Sequence, residues 1–503
     1  MTALALAFDL GTGGCKASLW DEHAHMLAET VSEYATTHPA PGRNEQRPED
    51  WWRAIVASTR EIIERVPDAA TAVAGIALSG QSLGAVQLDG ALELVRPTTP
   101  IWSDARGRTA RVFTALPEPE WYRRTGNGFG AALYPVFKAA AFAAEEPGAW
   151  SRTRHLVGSK DWINLRLTGR LMTDHSMASG SGAYSLEHGG YDDEILDAAD
   201  LPRTLFPEPV ESAHAVGALT RDASDALGLR AGIPVFAGAV DNAAMALGSR
   251  GTAEGRLYAA LGSSSWMTVT SARPVLDEHS RPYVFRHAIP GLHVSALSTF
   301  SSGTTIGWLR DLLAPGEPIG TFVERAAASA PGAGGAVMLP TLAGGTPLEG
   351  GSGVRGGLAG LELGTTSADL VRACLEGIAF ALDRSLRLMR ELSGSDDELL
   401  ISGGGSRSPV WNRIYADILQ TTLVRTSVDQ QAATLGAAAI AFVGMGAWSD
   451  FRRTDHAHTV IERVVPAEDA GPAYDAARLR FDAASAAFAA LPTQTPSHTL
   501  ESS

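Results

Sequence analysis

An aspartate, Asp241, follows an apolar segment in the middle of this 503-residue chain and leads without a linker into a helix-like segment. The apolar segment, 233–237, indicates a buried strand. We therefore expect Asp241 and its neighbour Asn242 at the carboxyl end of a strand, where open α/β sheets usually bind ligands. A carboxylate there could accept the proton of a hydroxyl group that attacks a terminal phosphate. The alternative is structural, with Asp241 as the cap of the helix that follows it.

Two glycine-rich bends have the composition of phosphate-binding turns. Predicted strands flank each bend, and Leu10 aligns with Leu261 at an offset of 251 residues (261 minus 10). Phosphate oxygens need close backbone N–H groups, hydroxyls and a cation, which requires small residues at the bend. Asp9, beside the first bend, is expected to hold Mg²⁺ directly or through water. The groups come from Gly11, Thr12, Gly13 and Lys16 in the first bend and from Gly262, Ser263 and Ser264 in the second.

The paired bends predict two similarly built halves that face one shared ligand. A single pair of short hairpins is weak support for a repeat, and glycine-rich turns are also common structural features. A third set, Trp102, Asp104 and Arg106, combines an aromatic ring, a carboxylate and a guanidinium within five residues. That set suits a polyhydroxylated ligand, or equally a solvated loop with an ion pair.

Other motifs indicate chemistry that their surroundings do not support. The segment 80–84 fits the nucleophile elbow of serine hydrolases, with Ser82 as nucleophile, but that elbow leads into a helix. Here the following residues, 85–89, alternate like a strand. The segment 351–356 fits the dinucleotide-binding pattern but opens no helix, and the three lysines do not follow a Walker A spacing. The thirteen histidines and two cysteines show no metal-ligand spacing.

The elements that would position these residues follow from hydrophobic periodicity and turn residues. Strands are predicted at 4–8, 15–20, 73–78, 85–89, 233–237 and 398–401, with a second strand, turn and strand at 255–269. Helices are predicted at 51–66, 304–313, 367–392, 409–419 and 467–491. The serine- and glycine-rich stretch 179–182 indicates a surface loop, and 492–503 a loose tail.

The composition is that of a folded protein with more than one domain. A chain of 503 residues exceeds what one hydrophobic core normally serves, so two domains are expected. With 56 acidic against 41 basic residues, the net charge of -15 disfavours nucleic-acid binding. Two cysteines form no disulfide framework, which favours the reducing cytoplasm. The sequence indicates neither a signal peptide nor a membrane span.

Taken in order, these motifs resemble those of the FGGY carbohydrate kinases and, within that family, most closely the xylulokinase branch. The resemblance runs from Leu4 to about Trp448, which is most of the chain. It rests on Asp9-Leu10-Gly11-Thr12, Asn44-Glu45-Gln46 with Trp51-Trp52, Ser79-Gly80-Gln81, Trp102-Ser103-Asp104-Ala105-Arg106, Gly238-Ala239-Val240-Asp241-Asn242, Leu261-Gly262-Ser263-Ser264, Leu375-Glu376-Gly377-Ile378-Ala379 and Gly403-Gly404-Gly405-Ser406-Arg407-Ser408-Pro409-Val410-Trp411.

The resemblance implies an α/β protein with the two-domain actin-like ATPase (ribonuclease H-like) fold and a central interdomain cleft. It implies a sugar-binding domain at 1–248, a nucleotide-binding domain at 249–491 and a tail at 492–503. The implied activity is transfer of the γ-phosphate of ATP to a primary hydroxyl of a ketopentose, with Asp241 as base and Mg²⁺ beside Asp9. The residues implied in ATP binding are Asp9, Gly11, Thr12, Gly13, Lys16, Gly262, Ser263, Ser264, Gly303, Gly307, Gly403, Gly404, Gly405 and Ser408. Those implied in sugar binding are Gln81, Ser82, Leu83, Trp102, Asp104, Asp241 and Asn242.

The chain departs from the xylulokinase pattern in two places. Ser82-Leu83 stands where these enzymes usually carry Met-His, and a Gly-Glu-Arg-Thr-Pro segment is shortened to Gly344-Gly345-Thr346-Pro347. Polar contacts discriminate strongly between substrates, so D-xylulose is a default, with another sugar, a polyol or an aldonate as alternatives. Two other classes are an actin-like ATPase with a conformational output and, more distantly, a hydrolase that uses Ser82. A homodimer is one expected state, because dimers are common in such families.

Overall fold

The computed structural model describes residues 3–128, 130–395 and 398–491, which are organised around two mixed sheets. The first sheet contains β1 Leu4–Leu10, β2 Gly14–Asp21, β3 Met26–Glu33, β4 Val73–Gly80, β5 Ala215–Ala218, β6 Pro234–Phe236 and β7 Ala239–Val240. The strand order is β5-β6-β4-β1-β2-β3, and β7 pairs with the end of β4. Strands β6, β7 and β1 all run parallel to β4. The carboxyl ends of β1, β4 and β7 therefore lie at one edge.

The second sheet repeats this arrangement. Its strands are β8 Leu257–Leu261, β9 Ser265–Ser271, β10 Tyr283–Arg286, β11 His293–Thr299, β12 Leu399–Ser402, β13 Leu423–Thr426 and β14 Val460–Val464. The order is β10-β11-β9-β8-β12-β13-β14. From β14 to β11, the succession of antiparallel and parallel pairs is the same as from β5 to β3. The two predicted hairpins are thus the same part of two similarly built halves.

The longer helices pack on these sheets, on one another or, for the helix at 135–145, in a separate apolar cluster. They are α1 Pro48–Arg65, α2 Pro135–Glu145, α3 Ser159–Thr168, α4 Asp241–Gly248, α5 Gly303–Leu313, α6 Ser367–Ser393, α7 Pro409–Leu419, α8 Ala432–Gly444 and α9 Gly471–Ala489. Helix α1 buries an apolar stripe that includes Trp51 and Ile55 against the first sheet. Proline and acidic residues in its first turn are typical of a helix start.

Smaller elements connect the layers. Short strands lie at Thr37–Ala40, Arg43–Gln46, Val86–Leu88, Thr99–Pro100, His155–Val157, Thr173–Asp174, Tyr184–Ser185, Gly190–Tyr191, Pro209–Val210, Val337–Leu339 and Gly357–Ala359. Short α-helices lie at Ala69–Ala72, Ala110–Ala115, Glu118–Thr125, Pro147–Trp150, His175–Ser179, Asp193–Ala199, Arg221–Leu227 and Ile319–Glu324. Short 3₁₀ helices lie at Ala131–Leu133, Arg203–Leu205, Arg325–Ala328, Ala333–Gly335, Pro347–Glu349, Gly404–Arg407 and Phe451–Ala457.

Helices α4 and α8 cross at the contact between the two halves. A Cβ atom on Gly248 would lie 1.7 Å from the Ala432 carbonyl oxygen, and one on Gly436 would lie 2.0 Å from the Ala244 oxygen. Helix α8 lies between β13 and β14 of the second sheet in the chain but packs on β1 and β4 of the first. The two helix backbones therefore touch at a crossing that leaves no room for side chains, and α4 carries Asp241 as its first residue.

The predicted elements are confirmed with shifted ends, such as the last helix, which begins at Gly471 rather than at 467. The prediction of a surface loop at 179–182 is wrong, because these residues are buried. The Val136 N–H donates to Ser181 O at 2.9 Å, and a Cβ on Gly180 would lie 3.3 Å from Leu83. Their small size serves close packing rather than flexibility. The tail at 492–503 lies outside the described residues, among which no helix is long and apolar enough to cross a membrane.

Candidate active site

Asp9 and Asp241 come together at the carboxyl ends of parallel strands. Asp9 lies on β1 opposite Ser79 of β4, and β7 pairs with the same end of β4 immediately before Asp241. The Ser79 hydroxyl donates to Asp9 Oδ1 at 2.8 Å. Asp241 begins helix α4 and is half-buried. The strand-end position predicted for Asp241 is confirmed.

The surroundings of Asp241 raise its pKa from 3.8 to about 7. Burial is the larger cause, and the negative charge of Asp9 is the second. Hydrogen bonds act in the opposite direction: Asn242 donates to Oδ1 from its backbone at 2.8 Å and from its amide nitrogen at 2.9 Å, and the Ser82 backbone N–H also donates. A carboxylate with a pKa near neutrality is suited to accept a proton from an alcohol.

Burial raises the pKa of Asp9 above 3.8, while the Ser79 hydroxyl and the charge of Lys16 oppose the shift. Lys16 lies opposite Asp9 on β2, and its Nζ donates to Gln430 O at 3.3 Å. In the part of the chain that the structure describes, no three His, Cys, Asp or Glu side chains form a group that could hold a metal ion. A Mg²⁺ ion at Asp9 would take most ligands from water and phosphate, which is how this ion is usually bound. The donors present fit Mg²⁺ in that form.

Each of the two predicted phosphate-binding bends is closed by a backbone hydrogen bond, and the second bend is one residue shorter than the first. The Gly11 N–H donates to Gly14 O at 3.0 Å, and the Gly262 N–H donates to Ser264 O at 2.9 Å. Both bends join strands whose side chains are mostly buried, whereas their tips are exposed. Each bend therefore presents small residues to open space at a sheet edge. The exposed tips consist of Thr12, Gly13, Gly262 and Ser263.

The turn after β4 is connected to the first bend through two buried glutamines. Gln81 Nε2 donates to Gln46 Oε1 at 2.9 Å, and Gln46 Nε2 donates to Thr12 O at 2.7 Å. Gln81 Oε1 is buried and accepts no hydrogen bond from the described residues. A buried acceptor without a partner is costly. This oxygen is therefore a candidate partner for a ligand hydroxyl.

Ser82 and Leu83 complete this turn. The chain then enters the short strand Val86–Leu88, whereas the nucleophile elbow of serine hydrolases continues as a helix. That geometry argues against Ser82 as a hydrolase nucleophile. The Ser82 N–H instead donates to Asp241. Leu83 has a φ of 56°, a left-handed conformation that side chains of this size rarely adopt.

Trp102 and Asp104 occupy different environments although they are two residues apart. Trp102 is 42% exposed, and its Nε1–H donates to Thr12 Oγ1 at 2.8 Å, so its ring borders the first bend. Asp104 is fully buried, and both its oxygens accept hydrogen bonds from Arg106 at 2.8 Å. Oδ2 also accepts from the Asn44 N–H at 2.8 Å. Both carboxylate oxygens of Asp104 therefore have partners within the protein. Its contact with a sugar stays a prediction.

The predicted nucleotide-binding glycines of the second half converge at the carboxyl ends of β8 and β12. The Gly303 N–H donates to Gly262 O at 3.0 Å, and a Cβ on Gly303 would lie 2.7 Å from that oxygen. Gly403 has a φ of 89°, and its Cβ would lie 2.6 Å from Leu261 O. Glycine is therefore required at both positions. The positions where a Cβ would meet no atom within 4 Å, and which border open space, are Gly307 and Gly404.

An aspartate that the sequence analysis missed supports the triple-glycine turn. Asp429 Oδ1 accepts from the Gly403 N–H at 2.7 Å, and Oδ2 accepts from Arg407 Nη2 at 2.8 Å. The signal available in the sequence was the mostly polar stretch 427–431 after the apolar pair Leu423 and Val424. Ser408, predicted to bind ATP, caps helix α7 by accepting from the Trp411 N–H at 3.2 Å. Gly405 is buried.

A buried network, also missed, supports the loop before Asp241. Lys160 Nζ donates to Ala237 O at 3.1 Å, and Ser176 Oγ accepts from the Val240 N–H at 2.8 Å. The ammonium group is paired with two buried aspartates, Asp161 at 2.6 Å and Asp174 at 2.8 Å. Between these contacts lies Gly238, with a φ of 78°. The backbone that delivers the candidate base is thus fixed on both sides.

Comparison with known proteins identifies the family. The model of the FGGY family of carbohydrate kinases, N-terminal domain, matches residues 4–248, and that of the C-terminal domain matches residues 257–445. The chain belongs to the FGGY family of carbohydrate kinases. The resemblance noted in its motifs is thereby confirmed.

Relatives of this FGGY kinase include enzymes for different substrates. A xylulose kinase from Lactococcus lactis is 29% identical over 444 residues, 88% of either chain. A gluconokinase from Bacillus subtilis is 25% identical over 484 residues, 92% of this chain and 93% of the relative. The crystal structure of xylulose kinase from Rhodospirillum rubrum, 27% identical, matches 96% of this chain and 98% of its own with a TM-score of 0.89. The two-domain actin-like fold and carbohydrate kinase activity are confirmed.

Proposed function

We propose that this FGGY kinase transfers the γ-phosphate of ATP to a primary hydroxyl of D-xylulose. The observation that carries the proposal is the position of Asp241, which lies beside Asp9 and accepts from the Ser82 N–H, and whose pKa is raised to about 7. A base of this strength is suited to a hydroxyl that loses its proton late. The names of relatives support xylulose as the first candidate sugar.

The reaction would require mainly positioning. The sugar oxygen forms a bond to the γ-phosphorus, the bond to the β-phosphate oxygen breaks, and the hydroxyl proton passes to Asp241. Phosphoryl transfer has a loose transition state, so alignment and charge neutralisation outweigh covalent help from the protein. Asn242 and the Ser82 N–H orient the carboxylate by donating hydrogen bonds to it. The unpartnered Gln81 Oε1 would accept from a sugar hydroxyl.

ATP would be held between the two bends and the triple-glycine turn. The exposed tips of both bends suit phosphate oxygens, and the open space beside Gly307 and Gly404 suits the nucleoside. Asp9 would hold Mg²⁺, which supplies neutralisation of phosphate charge when bound. Lys16 lies on the strand opposite Asp9 and adds a positive charge at this edge. The compartment we propose is the cytoplasm, where ATP and Mg²⁺ are available.

The proposal is tested by coupled ADP release with a panel of ketopentoses, polyols and aldonates that includes D-xylulose and D-gluconate. We expect the highest kcat/KM for D-xylulose and slow hydrolysis without sugar, because water beside an activated phosphate must be excluded. A clear preference for D-gluconate would show that the substrate is an aldonate rather than D-xylulose. Rapid hydrolysis without any sugar would instead favour an ATPase with a conformational output.

The base is tested with Asp241→Ala, which is expected to lower turnover by orders of magnitude and leave ATP affinity nearly unchanged. The exposed Asp68→Ala serves as control, since it removes a carboxylate far from the site. Unchanged turnover in Asp241→Ala would rule out the assignment. Equal losses in both variants would indicate a general effect on the fold.

A further inference from the structure

A fully buried lysine, Lys138, lies between the two loops that carry the proposed sugar-binding residues. It belongs to the first turn of α2, and none of its surface is exposed. Its Nζ donates to Leu83 O at 2.8 Å and to Ile101 O at 2.7 Å. No motif in the sequence indicated this residue. It connects backbone segments that are 18 residues apart in the chain (101 minus 83).

The partners of Lys138 are unusual for a buried ammonium group. Buried charges are normally paired with an opposite charge because their desolvation is costly. The other buried lysine, Lys160, follows this rule with two aspartates. For Lys138 the direct acceptors are carbonyl oxygens, and burial lowers its pKa to about 7, with Asp104 opposing the shift and Arg106 adding to it. A costly group of this kind, bonded to two loops that carry proposed sugar-binding residues, is a candidate functional residue.

The first hydrogen bond, from Lys138 to Leu83 O, fixes the turn formed by Gln81, Ser82 and Leu83. Leu83 holds a left-handed backbone conformation that is unfavourable for leucine. The bond from Lys138 to Leu83 O restrains the rotation of that backbone and offsets its strain. The residue before it, Ser82, points its N–H at Asp241. The lysine is therefore linked to the proposed base through two consecutive residues of the turn.

The second hydrogen bond, from Lys138 to Ile101 O, fixes the loop 101–104 that carries Trp102. Ile101 O accepts from Lys138 and also from the Asp104 N–H at 3.1 Å. Trp102, one of the two residues between Ile101 and Asp104, extends its indole to the Thr12 hydroxyl at the first bend. The position of the exposed ring therefore depends on a backbone segment that Lys138 holds. One side chain thus restrains both walls of the proposed sugar subsite.

We propose that Lys138 is a positioning residue that couples the Gln81–Leu83 turn to the Trp102 loop and thereby sets affinity for the sugar. This inference rests on the proposed function, because it assigns these two loops to the sugar subsite. It does not require a charge at Nζ, since a neutral amine retains two N–H groups. The coupling should therefore affect the KM for sugar more than the KM for ATP, whose proposed contacts lie mostly on the second half.

The experiment compares Lys138→Met with Arg372→Met. Methionine keeps the length and volume of the side chain but removes both donors. Arg372 is a matched control, because it is also a buried cation, bonded to Glu376 at 2.7 Å and to the Tyr474 hydroxyl at 2.6 Å. It lies on α6 of the second half, outside the proposed site. Steady-state kinetics with D-xylulose and ATP, and amide hydrogen exchange, are measured for both variants.

We expect Lys138→Met to raise the KM for D-xylulose about tenfold or more, as the loss of one to two hydrogen bonds implies. The KM for ATP should change less than about threefold on the same scale. Amide exchange should accelerate in peptides that cover 79–86 and 99–106. Arg372→Met should change neither the sugar KM nor the exchange of these peptides, even if its melting temperature falls.

The outcomes separate this inference from the proposed function. A wild-type protein without sugar-dependent ADP release would refute the function, while hydrogen exchange would still test the coupling of the loops. An active wild type with unchanged sugar KM and unchanged exchange in Lys138→Met would refute the coupling. The same rise in sugar KM and the same faster exchange in Arg372→Met would show that Lys138 contributes only to the general stability of the fold. That result would also refute the coupling. If Lys138→Met does not fold, Lys138→Gln is used, whose shorter side chain can reach at most one of the two carbonyl oxygens. Exchange should then accelerate in at least one of the two peptides, and unchanged exchange in both would refute the coupling.

Discussion

Asp241→Asn is predicted to stabilise the ligand-free protein while it removes catalysis. In the unfolded chain the carboxyl group ionises near pH 4, whereas in the folded protein its pKa is about 7. The folded state therefore binds this proton more tightly than the unfolded state. The contribution of Asp241 to stability is fully present below about pH 4 and is lost as pH rises through 7. Asparagine does not ionise, so the variant avoids this loss.

The magnitude follows from the shift. An increase in pKa from 3.8 to about 7 is about 3 units, and each unit corresponds to about 1.4 kcal/mol, which gives an upper limit of about 4 kcal/mol. Because Asp241 is half-buried, solvent screening reduces the expected gain to about 1–2 kcal/mol. Asparagine can keep the hydrogen bonds from Asn242 on its own Oδ1, so little is lost in exchange.

The assay is chemical denaturation of the wild type and Asp241→Asn between pH 4 and 8, without ligands, together with turnover at pH 7.5. The difference in unfolding free energy should grow from near zero at pH 4 to a plateau above pH 7. The exposed Asp68→Asn makes the same chemical change in water and should show no such growth. A difference that is flat with pH, or a less stable Asp241→Asn, would refute the argument that burial and Asp9 perturb this carboxylate.

Three further predictions follow from the same region and from the helix crossing. Asp9→Asn removes a negative charge that raises the pKa of Asp241. The acid limb of the pH profile of kcat/KM, measured on the residual activity, should therefore move to lower pH. An acid limb at the wild-type pH would contradict this. Gly436→Val places a side chain where a Cβ would lie 2.0 Å from Ala244 O. The free energy of unfolding, measured by thermal denaturation, should fall by about 3 kcal/mol. An unchanged melting temperature would disprove the tight crossing. Gly404→Val adds a side chain in open space and should leave the melting temperature nearly unchanged but raise the KM for ATP about tenfold, unless nucleotide binds elsewhere.

The sequence was sufficient for features that depend on local pattern. Apolar strands that end in Asp9 or precede Asp241 could be recognised because burial of both sheet faces leaves continuous apolar runs. The two bends were found because close backbone approach requires glycine, and that requirement is visible in one dimension. The half-chain offset anticipated the repeated order of strands in the two sheets. Together these local signals located one edge of each half.

The supporting residues could not be predicted because their partners are distant in the chain. Lys138 contacts carbonyl oxygens 55 and 37 residues away, and carbonyl groups leave no trace in a sequence. Lys160 could not be assigned a role from the sequence, since its bond to Ala237 spans 77 residues. Asp104 was expected to face the sugar because its residue type suits that role, but Arg106 takes up both its oxygens. The small residues at 179–182 indicate exposure in a loop and burial in a tight packing contact equally well.

The glycine crossing of α4 and α8 restricts how the two halves can move. Backbones in direct contact are hindered from sliding past each other, because each Cα is seated against a carbonyl oxygen of the other helix. If the two halves rotate relative to each other, these contacts would be the pivot. Displacement around a pivot grows with distance, and Asp241 lies only a few residues from it along α4. A closing motion would therefore move the exposed bends by a larger distance than Asp241. The carboxylate would keep nearly the same position while the two halves close around the sugar and ATP.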